Sequence, residues 1–333
     1  MSTDTLPGVN LLAGATGREP VHPGDARFGA TFERFRVGAA RYFVKRISPE
    51  RDWILRATGD RDFRMLKVWR AGLMHRASRV VEHAVLDVEL ADGELVVLMR
   101  DVGELLVPDR DGPIDLDGHQ ALLSGMAAFA AEFWGWHDDL GLTPLADRFG
   151  VFAPANIADE LTRPDPSPVL QAADTGWGLL AERSPDLAGV ARAAQARPGA
   201  LAAALDRSLR TFLHGDWKMS NLGWCPDGRT VLLDWSFLGA GPVCWELGWY
   251  LALNRARLPE PTEEAIAAFR AALHRRGLDP DAWFDRQLTL CLLAIAATFG
   301  WEKALGGGTE LEWLTRRAQV GAALLDREEP GWR

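Results

Sequence analysis

Cysteine is scarce in this chain, and the few cysteines form no metal-binding or redox motif. Cys225, Cys244 and Cys291 are the three cysteines among 333 residues, and they form neither a CxxC pair nor a Cys/His cluster. A structural zinc site needs several such ligands at short spacing, so the sequence argues against one. An odd and sparse cysteine count is typical of a protein from a reducing cytoplasm.

Basic runs, a leader segment and a hydrolase motif are also missing. The net charge is −9 and Lys and Arg form no runs, which argues against nucleic acid or an anionic membrane as the main partner. Residues 1–10 lack a signal-peptide pattern, and the apolar run at 288–299 is too short to span a bilayer. No GxSxG elbow is present, so a Ser/His/Asp hydrolase is a poor fit. We expect a cytoplasmic protein with no evident obligate protein partner.

The first hundred residues have the pattern of a small sheet with one or two helices. Four segments are strand-like and bounded by turn residues: 32–37, 41–47, 80–90 and 94–100. Gly38-Ala39 and Asp92-Gly93 are predicted to form hairpin turns. One helix is expected to start at Ser48, with Ser as N-cap and Pro at the first position, and another over residues 60–74.

From residue 117 onward the pattern is mainly helical. Three segments have the clearest helical pattern: 120–136, 263–276 and the more apolar 283–305, which is predicted to be a core helix. Two short strands are expected at residues 211–216 and 231–235, separated by a turn. We therefore predict an α+β protein with a β-rich lobe at residues 1–100 and a mainly helical lobe at residues 101–333.

The polar residues with the clearest chemistry follow those two short strands. His214-Gly215-Asp216 is followed by Lys218 and Asn221, and Asp234 ends the next strand. Asp216 can accept a proton from a hydroxyl, and Lys218 can neutralise charge on a phosphoryl group in transfer. Asn221 and Asp234 offer the hard oxygen ligands that Mg²⁺ prefers. These spacings suit a phosphoryl-transfer enzyme.

Lys45 lies among large apolar residues on one face of a predicted strand. Alternation places Phe43, Lys45 and Ile47 on the same side. If that face is buried, the ammonium group needs an acidic or phosphate partner, because an unpaired buried charge is costly. If the strand lies at an edge, the lysine reaches water. The residues alone leave both interpretations open.

Together these motifs resemble the aminoglycoside phosphotransferase/choline kinase family, which consists of small-molecule kinases with a bilobal protein-kinase-like fold. The resemblance implies that Lys45 grips the α- and β-phosphates of ATP and that Asp216 is the catalytic base. It implies that Asn221 and Asp234 carry Mg²⁺. It also implies that adenine bonds to the backbone along Leu98-Met99-Arg100-Asp101, which makes Met99 and Asp101 candidate nucleotide-binding residues.

The sequence departs from the family pattern at four places, one of which is Lys218, a lysine more typical of Ser/Thr protein kinases than of most antibiotic kinases. The helix acid that pairs with the strand lysine is usually Glu, and the best-placed candidate here is Asp62, with Glu50 and Asp52 as alternatives. No GxGxxG loop covers the phosphates, and Phe28-Gly29-Ala30-Thr31 is the candidate replacement. Glu246 stands where the family more often has Asp.

The resemblance implies an ATP- and Mg²⁺-dependent kinase that phosphorylates a hydroxyl group of a small molecule. Six acids lie in segments expected to form the acceptor pocket: Asp138, Asp139, Glu246, Glu302, Glu310 and Glu312. Opposite charge favours an acceptor that is an amino sugar, an aminocyclitol or another sugar-like compound. The other reading is that these acids are ordinary solvated surface residues.

Two other functions are compatible with parts of this pattern. In a protein Ser/Thr kinase the segment after the metal-binding acid binds the polypeptide, but only eleven residues separate Asp234 from Glu246. In a regulatory pseudokinase some catalytic groups are usually lost, whereas all are present here. Six tryptophans are candidates for contact with the acceptor, although core packing is the more common role of tryptophan: Trp134, Trp136, Trp245, Trp249, Trp301 and Trp313.

Overall fold

The protein was analysed as a computed structural model that describes residues 14–21 and 29–332. Its first part is built on an antiparallel five-stranded sheet. The strands are β1 (Thr16–Val21), β2 (Thr31–Val37), β3 (Ala40–Ile47), β5 (Val85–Ala91) and β6 (Glu94–Arg100). Their spatial order is β1-β2-β3-β6-β5, which places β3 in the middle of the sheet.

Both predicted hairpins are present. Gly38 joins β2 to β3 with a φ of 59°, and Asp92 and Gly93 join β5 to β6 with φ of 52° and 79°. The Asp92-Gly93 loop has positive φ at both central residues and the Gly38-Ala39 loop has it at the first, and both patterns match the right-handed twist of the strands. The turn chemistry therefore fixed the register of these strands.

The helices of the first part differ from the prediction. Within the described residues they are three short helices: α1 (Trp53–Ala57), α2 (Arg64–Arg70) and α3 (Leu73–Ala77). A helix start at Ser48 is wrong, because Asp52 provides the N-cap and accepts from the backbone N–H groups of Ile54 and Leu55 at 2.9 and 3.2 Å. The predicted helix at 60–74 is divided at Gly72, whose φ is 71°.

The strand predicted at residues 80–90 is broken at Ala84, which has a φ of 59°. Its first part, β4 (Val81–Glu82), pairs in parallel with β9 (Thr230–Leu232), and β9 pairs with β8 (Leu222–Trp224). The remaining two strands, β7 (Arg210–Leu213) and β10 (Gly239–Pro242), form an antiparallel pair. Because of this break, β4 leaves the five-stranded sheet and connects the first part of the chain to strands of the second part.

The second part of the chain is mainly helical, as predicted. The helices are α4 (Leu116–Glu132), α5 (Leu145–Phe149), α6 (Pro154–Leu161), α7 (Pro168–Arg183), α8 (Pro185–Ala196), α9 (Pro198–Asp206), α10 (Cys244–Asn254), α11 (Thr262–Arg275), α12 (Phe284–Gly306) and α13 (Gly308–Glu328). Three single 3-10 turns occur at Gly103–Leu105, Met219–Asn221 and Arg255–Arg257.

Helix α12 is the core helix that the apolar pattern predicted. Among the described residues it is the one helix long and apolar enough to cross a membrane, yet 83% of its most apolar window is buried inside the protein. Helices α7, α8, α10 and α13 pack around it. Its apolar character is therefore explained by packing.

The two parts are tied by an ion pair between α1 and α6. The Arg56 guanidinium donates to both Glu160 carboxylate oxygens, at 2.7 and 2.5 Å. A third Arg56 nitrogen donates to the carbonyls of Pro49 and Glu50. The protein is thus an α+β molecule with a β-rich first lobe and a mainly helical second lobe, as the sequence predicted.

Candidate active site

The loop after β7 presents Asp216 through a tight turn at Gly215. Gly215 has a φ of 86°, and an added Cβ would lie 2.3 Å from the Phe237 carbonyl oxygen, so only glycine fits. His214 is fully buried and its Nδ1 accepts from the Asp216 N–H at 3.2 Å. Burial lowers the pKa of His214 to about 3, so its imidazole stays neutral and serves the loop structure.

Both carboxylate oxygens of Asp216 are held by neutral donors. Asn221 Nδ2 donates to Oδ2 at 2.8 Å, and the indole Nε1–H of Trp249 donates to Oδ1 at 2.9 Å. The Lys218 ammonium group lies 3.9 Å from Oδ2. Burial raises the pKa of Asp216 to about 6, against the charge of Lys218 and these two hydrogen bonds. The group is therefore mainly ionised at neutral pH and poised near it, as a general base should be.

Asp234 follows β9 and forms an ion pair with Lys45. Its φ is 61°, and its Oδ1 accepts from Lys45 Nζ at 2.7 Å and from Ser236 Oγ at 2.7 Å. Burial acts to raise the pKa of Asp234, but Lys45 and Lys218 hold it well below its usual range. Lys45 lies in the central strand β3, and its side chain is only 10% exposed. Of the two alternatives that the sequence left open, the structure shows the buried lysine with an acidic partner.

Asp62 does not pair with Lys45, which corrects the sequence prediction. Its side chain is 77% exposed and lies 3.7 Å from Lys67, because the chain before α2 turns it towards solvent. Asp52, one of the alternatives, is buried and lines a small cavity with Lys45 and Asp234. Burial raises the pKa of Asp52 to about 6, and the charge of Lys45 opposes that rise. The helix-capping acid is thus the one that faces the lysine.

A cavity of about 360 Å³ lies between the five-stranded sheet and the two loops that carry Asn221 and Asp234. Met99 and Asp101 line it, as the resemblance implied, together with Lys45. The Asp101 carboxylate is 3.1 Å from Arg41 and accepts from the Gly103 N–H at 3.0 Å. Its own N–H donates to the Arg41 carbonyl, so these groups fix the linker rather than face a ligand. Nucleotide contact by Met99 and Asp101 stays a prediction.

The candidate phosphate loop is described only in part. Phe28 lies outside the described residues, and Gly29 has a φ of 94°. An added Cβ at Gly29 would lie 2.0 Å from the Arg51 carbonyl oxygen, so this glycine allows close approach of two backbone segments. Its role towards phosphates stays a prediction.

A second cavity, of about 330 Å³, opens on the other side of Asp216. Five aromatic side chains line it: Phe152, Phe237, Trp249, Phe299 and Trp301. Lys218 and Ser220 line both this cavity and the first one. The two cavities therefore meet at the loop of residues 214–221, which is called the catalytic loop below, and Lys218 lies at their junction.

The candidate acceptor residues divide between this cavity and other places. Among the described residues, Trp249 and Trp301 line the cavity, and the other four candidate tryptophans do not. Of the six candidate acids, only Glu302 lines it. Asp138 instead accepts from backbone N–H groups of its own turn, and Glu310 pairs with Arg255 at 2.9 Å.

Helix α10 is hydrogen-bonded to both ends of the catalytic loop. Both Glu246 oxygens accept from the Gly215 N–H, at 3.0 and 3.1 Å, and burial raises the pKa of Glu246 to about 7. At the other end of α10, Asn254 accepts from the Met219 N–H at 2.7 Å and donates to the Trp217 carbonyl at 2.9 Å. Asn254 was not predicted from the sequence, although its spacing of two helical turns from Glu246 in an apolar helix indicates that both lie on one face.

Arg148 is a second residue that the sequence analysis missed. It is fully buried, its guanidinium nitrogens have no hydrogen-bond partner among the described residues, and burial lowers its pKa to about 10. The guanidinium group packs against Gly215 and Gly239, where an added Cβ would lie 2.4 Å from its nitrogens. Its charge also lowers the pKa of Glu246, so it compensates part of that buried negative charge.

The sequence model of the phosphotransferase enzyme family matches residues 26–284, which is more than half of the chain. The chain belongs to the phosphotransferase enzyme family. This phosphotransferase is a kinase whose acceptor is an alcohol group. No curated protein sequence matches it.

Solved structures with the same fold include kinases of small molecules. The choline kinase LicA from Streptococcus pneumoniae superposes with a TM-score of 0.54 at 11% identity, over 95% of this chain and 96% of that one. An aminoglycoside phosphotransferase, APH(3'')-Id from Streptomyces rimosus in complex with ADP and streptomycin, gives 0.52 at 18% identity, over 86% and 96%. At these identities the likeness shows the fold, which is protein-kinase-like as the sequence predicted.

Proposed function

We propose that this phosphotransferase is an ATP- and Mg²⁺-dependent kinase that transfers the γ-phosphate to a hydroxyl group of an amino sugar, an aminocyclitol or another sugar-like acceptor. One observation carries the proposal. The two cavities meet at Lys218 and Ser220, which line both, and the buried Asp216 carboxylate lines the second. A phosphoryl group held in one cavity can therefore face a hydroxyl group held in the other.

The first cavity suits a nucleotide. Its walls include apolar strand residues for a base, and its inner end holds the Lys45 ammonium group for phosphate oxygens. The fold neighbour APH(3'')-Id was solved with ADP, which supports nucleotide use in this fold. On this proposal Lys45 holds the α- and β-phosphates, and its ion pair with Asp234 keeps it extended towards them.

The residues present fit a magnesium ion shared with phosphates. Asp234 supplies a carboxylate, and Asn221 supplies an amide oxygen, because its nitrogen is engaged in donating to Asp216. The described residues contain no cluster of three or more His, Cys, Asp or Glu able to form a metal site alone. Mg²⁺ is usually bound by one or two carboxylates together with substrate phosphates, so two protein ligands suffice. When bound, the ion neutralises charge on the phosphates.

Catalysis on this proposal is mainly positioning. Asp216 orients the acceptor hydroxyl and takes its proton as the oxygen attacks the γ-phosphorus, and the bond to the leaving phosphate oxygen breaks. Lys218 stabilises charge on the transferred group from its place between the cavities. Phosphoryl transfer needs little covalent help from the protein beyond this alignment and charge compensation.

The second cavity favours a ring-shaped acceptor with hydroxyl groups. Its aromatic walls offer flat apolar faces to the C–H face of a sugar ring, while Glu302 offers a polar group. Glu302 is itself 3.1 Å from Lys303, so besides Asp216 the described lining holds one acid for an acceptor amine. The aromatic walls therefore support the sugar-like acceptor more than the six predicted acids do.

The test is an ADP-release screen of the purified protein with cationic, neutral and anionic hydroxyl compounds and with generic protein substrates. We expect Mg²⁺-dependent ADP release with an amino sugar, aminocyclitol or neutral sugar, and a phosphorylated product by mass spectrometry. Turnover only with a protein substrate would favour a protein Ser/Thr kinase instead. No ADP release with any acceptor, together with intact nucleotide binding, would favour a regulatory pseudokinase.

A further inference from the structure

Trp249 carries an indole N–H that points at the reacting carboxylate. Its Nε1 donates to Asp216 Oδ1 at 2.9 Å, across 33 residues of sequence. A carboxylate offers about four lone-pair sites. Asn221 occupies one on Oδ2 and Trp249 one on Oδ1. Two donors on two different oxygens fix the rotation of the carboxylate and decide which lone pairs remain for the acceptor hydroxyl.

The indole ring is itself held firmly. Trp249 is 3% exposed, and its ring makes an edge contact with Phe299 at 4.6 Å and a tilted contact with Phe237 at 5.4 Å between centroids. Phe299 belongs to the core helix α12, and Phe237 belongs to the segment that follows Asp234. The direction of the N–H bond is therefore set by the core of the protein.

This hydrogen bond is more than the usual satisfaction of a buried indole. Three other buried tryptophans, Trp217, Trp245 and Trp301, have indole nitrogens without a hydrogen-bond partner among the described residues. Packing in this protein thus tolerates an unbonded indole. Trp249 also lines the second cavity, so its N–H contacts the Asp216 carboxylate while its ring forms part of the wall that faces the acceptor.

We propose that Trp249 is a positioning residue that orients the Asp216 carboxylate towards the acceptor hydroxyl by donating its indole N–H to Oδ1. The inference rests on the proposed function, in which Asp216 is the base. In that role a small misplacement of the carboxylate costs rate, because the reacting atoms must be aligned at close range. The ring of Trp249 contributes to the cavity wall, and its N–H contributes to the geometry of the base.

The kinetic test is Trp249→Phe, with the acceptor identified in the screen. Phe keeps an aromatic wall and removes the donor, so we expect kcat to fall about 10- to 100-fold, the range for one hydrogen bond to a charged group. We expect KM for the acceptor to stay within about threefold, because the apolar contact is kept. A kcat within about twofold of the wild type would overturn the assignment.

The matched control is Trp245→Phe. Trp245 lies one turn earlier on α10, is fully buried and packs its ring against Phe149 and against Trp249 itself, so it tests the packing around Trp249, but its own indole nitrogen has no partner among the described residues. We expect kcat and KM of this variant to stay within about twofold of the wild type. An equal loss of kcat in both variants would show that the effect is packing, and the positioning role would be wrong.

A spectroscopic test does not depend on knowing the acceptor. In ¹⁵N-indole-labelled protein, the signal missing from Trp249→Phe identifies the Trp249 N–H. We expect that signal to shift more than every other indole signal in Asp216→Asn, because the carboxylate that accepts this hydrogen bond is replaced by a neutral amide. A Trp249 signal that stays unchanged would contradict the hydrogen bond. Failure of the proposed function alone would leave this shift in place.

Should Trp249→Phe not fold, benzothienylalanine placed at position 249 tests the same bond. This residue keeps the bicyclic shape of tryptophan and replaces the N–H with sulfur. We expect it to reproduce the 10- to 100-fold loss of kcat with KM retained. Wild-type kcat in this isosteric protein would overturn the inference, because shape alone would then be sufficient.

Discussion

The Asp216 carboxylate is the residue on which the proposed chemistry depends. Asp216→Asn keeps the size of the side chain and an oxygen that can accept from Trp249, but it removes the proton-accepting charge. We expect turnover to fall by ~10²- to 10⁴-fold, the usual contribution of one positioned acid–base group. Calorimetry should show unchanged affinity for Mg·ATP, since Asn221 and Asp234 are untouched. Turnover close to the wild type would remove Asp216 from the role of base.

Replacing Lys45 distinguishes the binding of the ATP phosphates from the binding of the adenine base. In Lys45→Ala we expect affinity for ATP to fall by about 10- to 100-fold, as for a lost hydrogen bond to a charged group, while affinity for adenosine stays unchanged. Calorimetric titration with both ligands measures the difference. The control is Lys67→Ala, because Lys67 makes an exposed contact with Asp62 away from the cavity. Equal losses for ATP and adenosine would be incompatible with a phosphate contact.

Helix α1 shows at the scale of an element why Asp52 and Asp62 are not equivalent. Asp52 caps α1 and is buried beside Lys45, whereas Asp62 is 77% exposed. We expect Asp52→Ala to lower the free energy of unfolding by about 1 kcal/mol or more, as for loss of an N-cap. Asp62→Ala should change it by less than ~0.5 kcal/mol. Urea unfolding of the two variants in parallel decides, and similar losses would refute the distinction.

The elements that the sequence predicted well are those with local causes. The two hairpins follow from Gly38 and Asp92-Gly93, and the core helix α12 follows from its apolar composition. The break at Ala84 had no local signal, because a non-glycine residue rarely adopts the positive φ that Ala84 has.

The candidate site was predictable only where its residues are close in sequence. The catalytic loop is continuous, so its motif located Asp216 and Asn221. Lys45 pairs with an acid 189 residues away, and a single sequence carries no signal for such a pairing beyond the family resemblance. The roles of Trp249 and Asn254 depend on how α10 lies under the loop, which the order of residues does not specify.

At the scale of the whole molecule, the Arg56–Glu160 ion pair connects the two lobes. Arg56→Met removes the two short contacts of the buried Glu160 carboxylate and leaves it the longer one to Arg163 at 3.4 Å, so we expect the free energy of unfolding to fall by up to about 3 kcal/mol. The control is Arg51→Met, because the Arg51–Glu94 pair is more exposed and lies within one lobe. That change should cost less than ~1 kcal/mol. Chemical denaturation measures both, and equal losses would show that the connection between lobes carries no special weight.

His214 gives the stability of the whole molecule a defined pH dependence. Burial lowers its pKa from 6.5 to about 3 in the folded protein, so the unfolded chain binds a proton more readily. Its contribution is therefore complete above pH 6.5 and is lost as the pH falls towards 3, by about 1.4 kcal/mol per pH unit. We expect the stability difference between wild type and His214→Asn to shrink accordingly in denaturation curves measured at decreasing pH. A difference independent of pH would mean that His214 is not kept neutral by burial.

The segment after Asp234 has a consequence for how a cell can control this enzyme. Its strand β10 is buried and paired with β7, and it leads directly into α10, which holds the catalytic loop. A segment so fixed has no mobile flap for a second kinase to rearrange, and its Ser236 hydroxyl is bonded to Asp234. We therefore expect the enzyme to be active as soon as it folds, so that its output depends on its own concentration and on that of its acceptor.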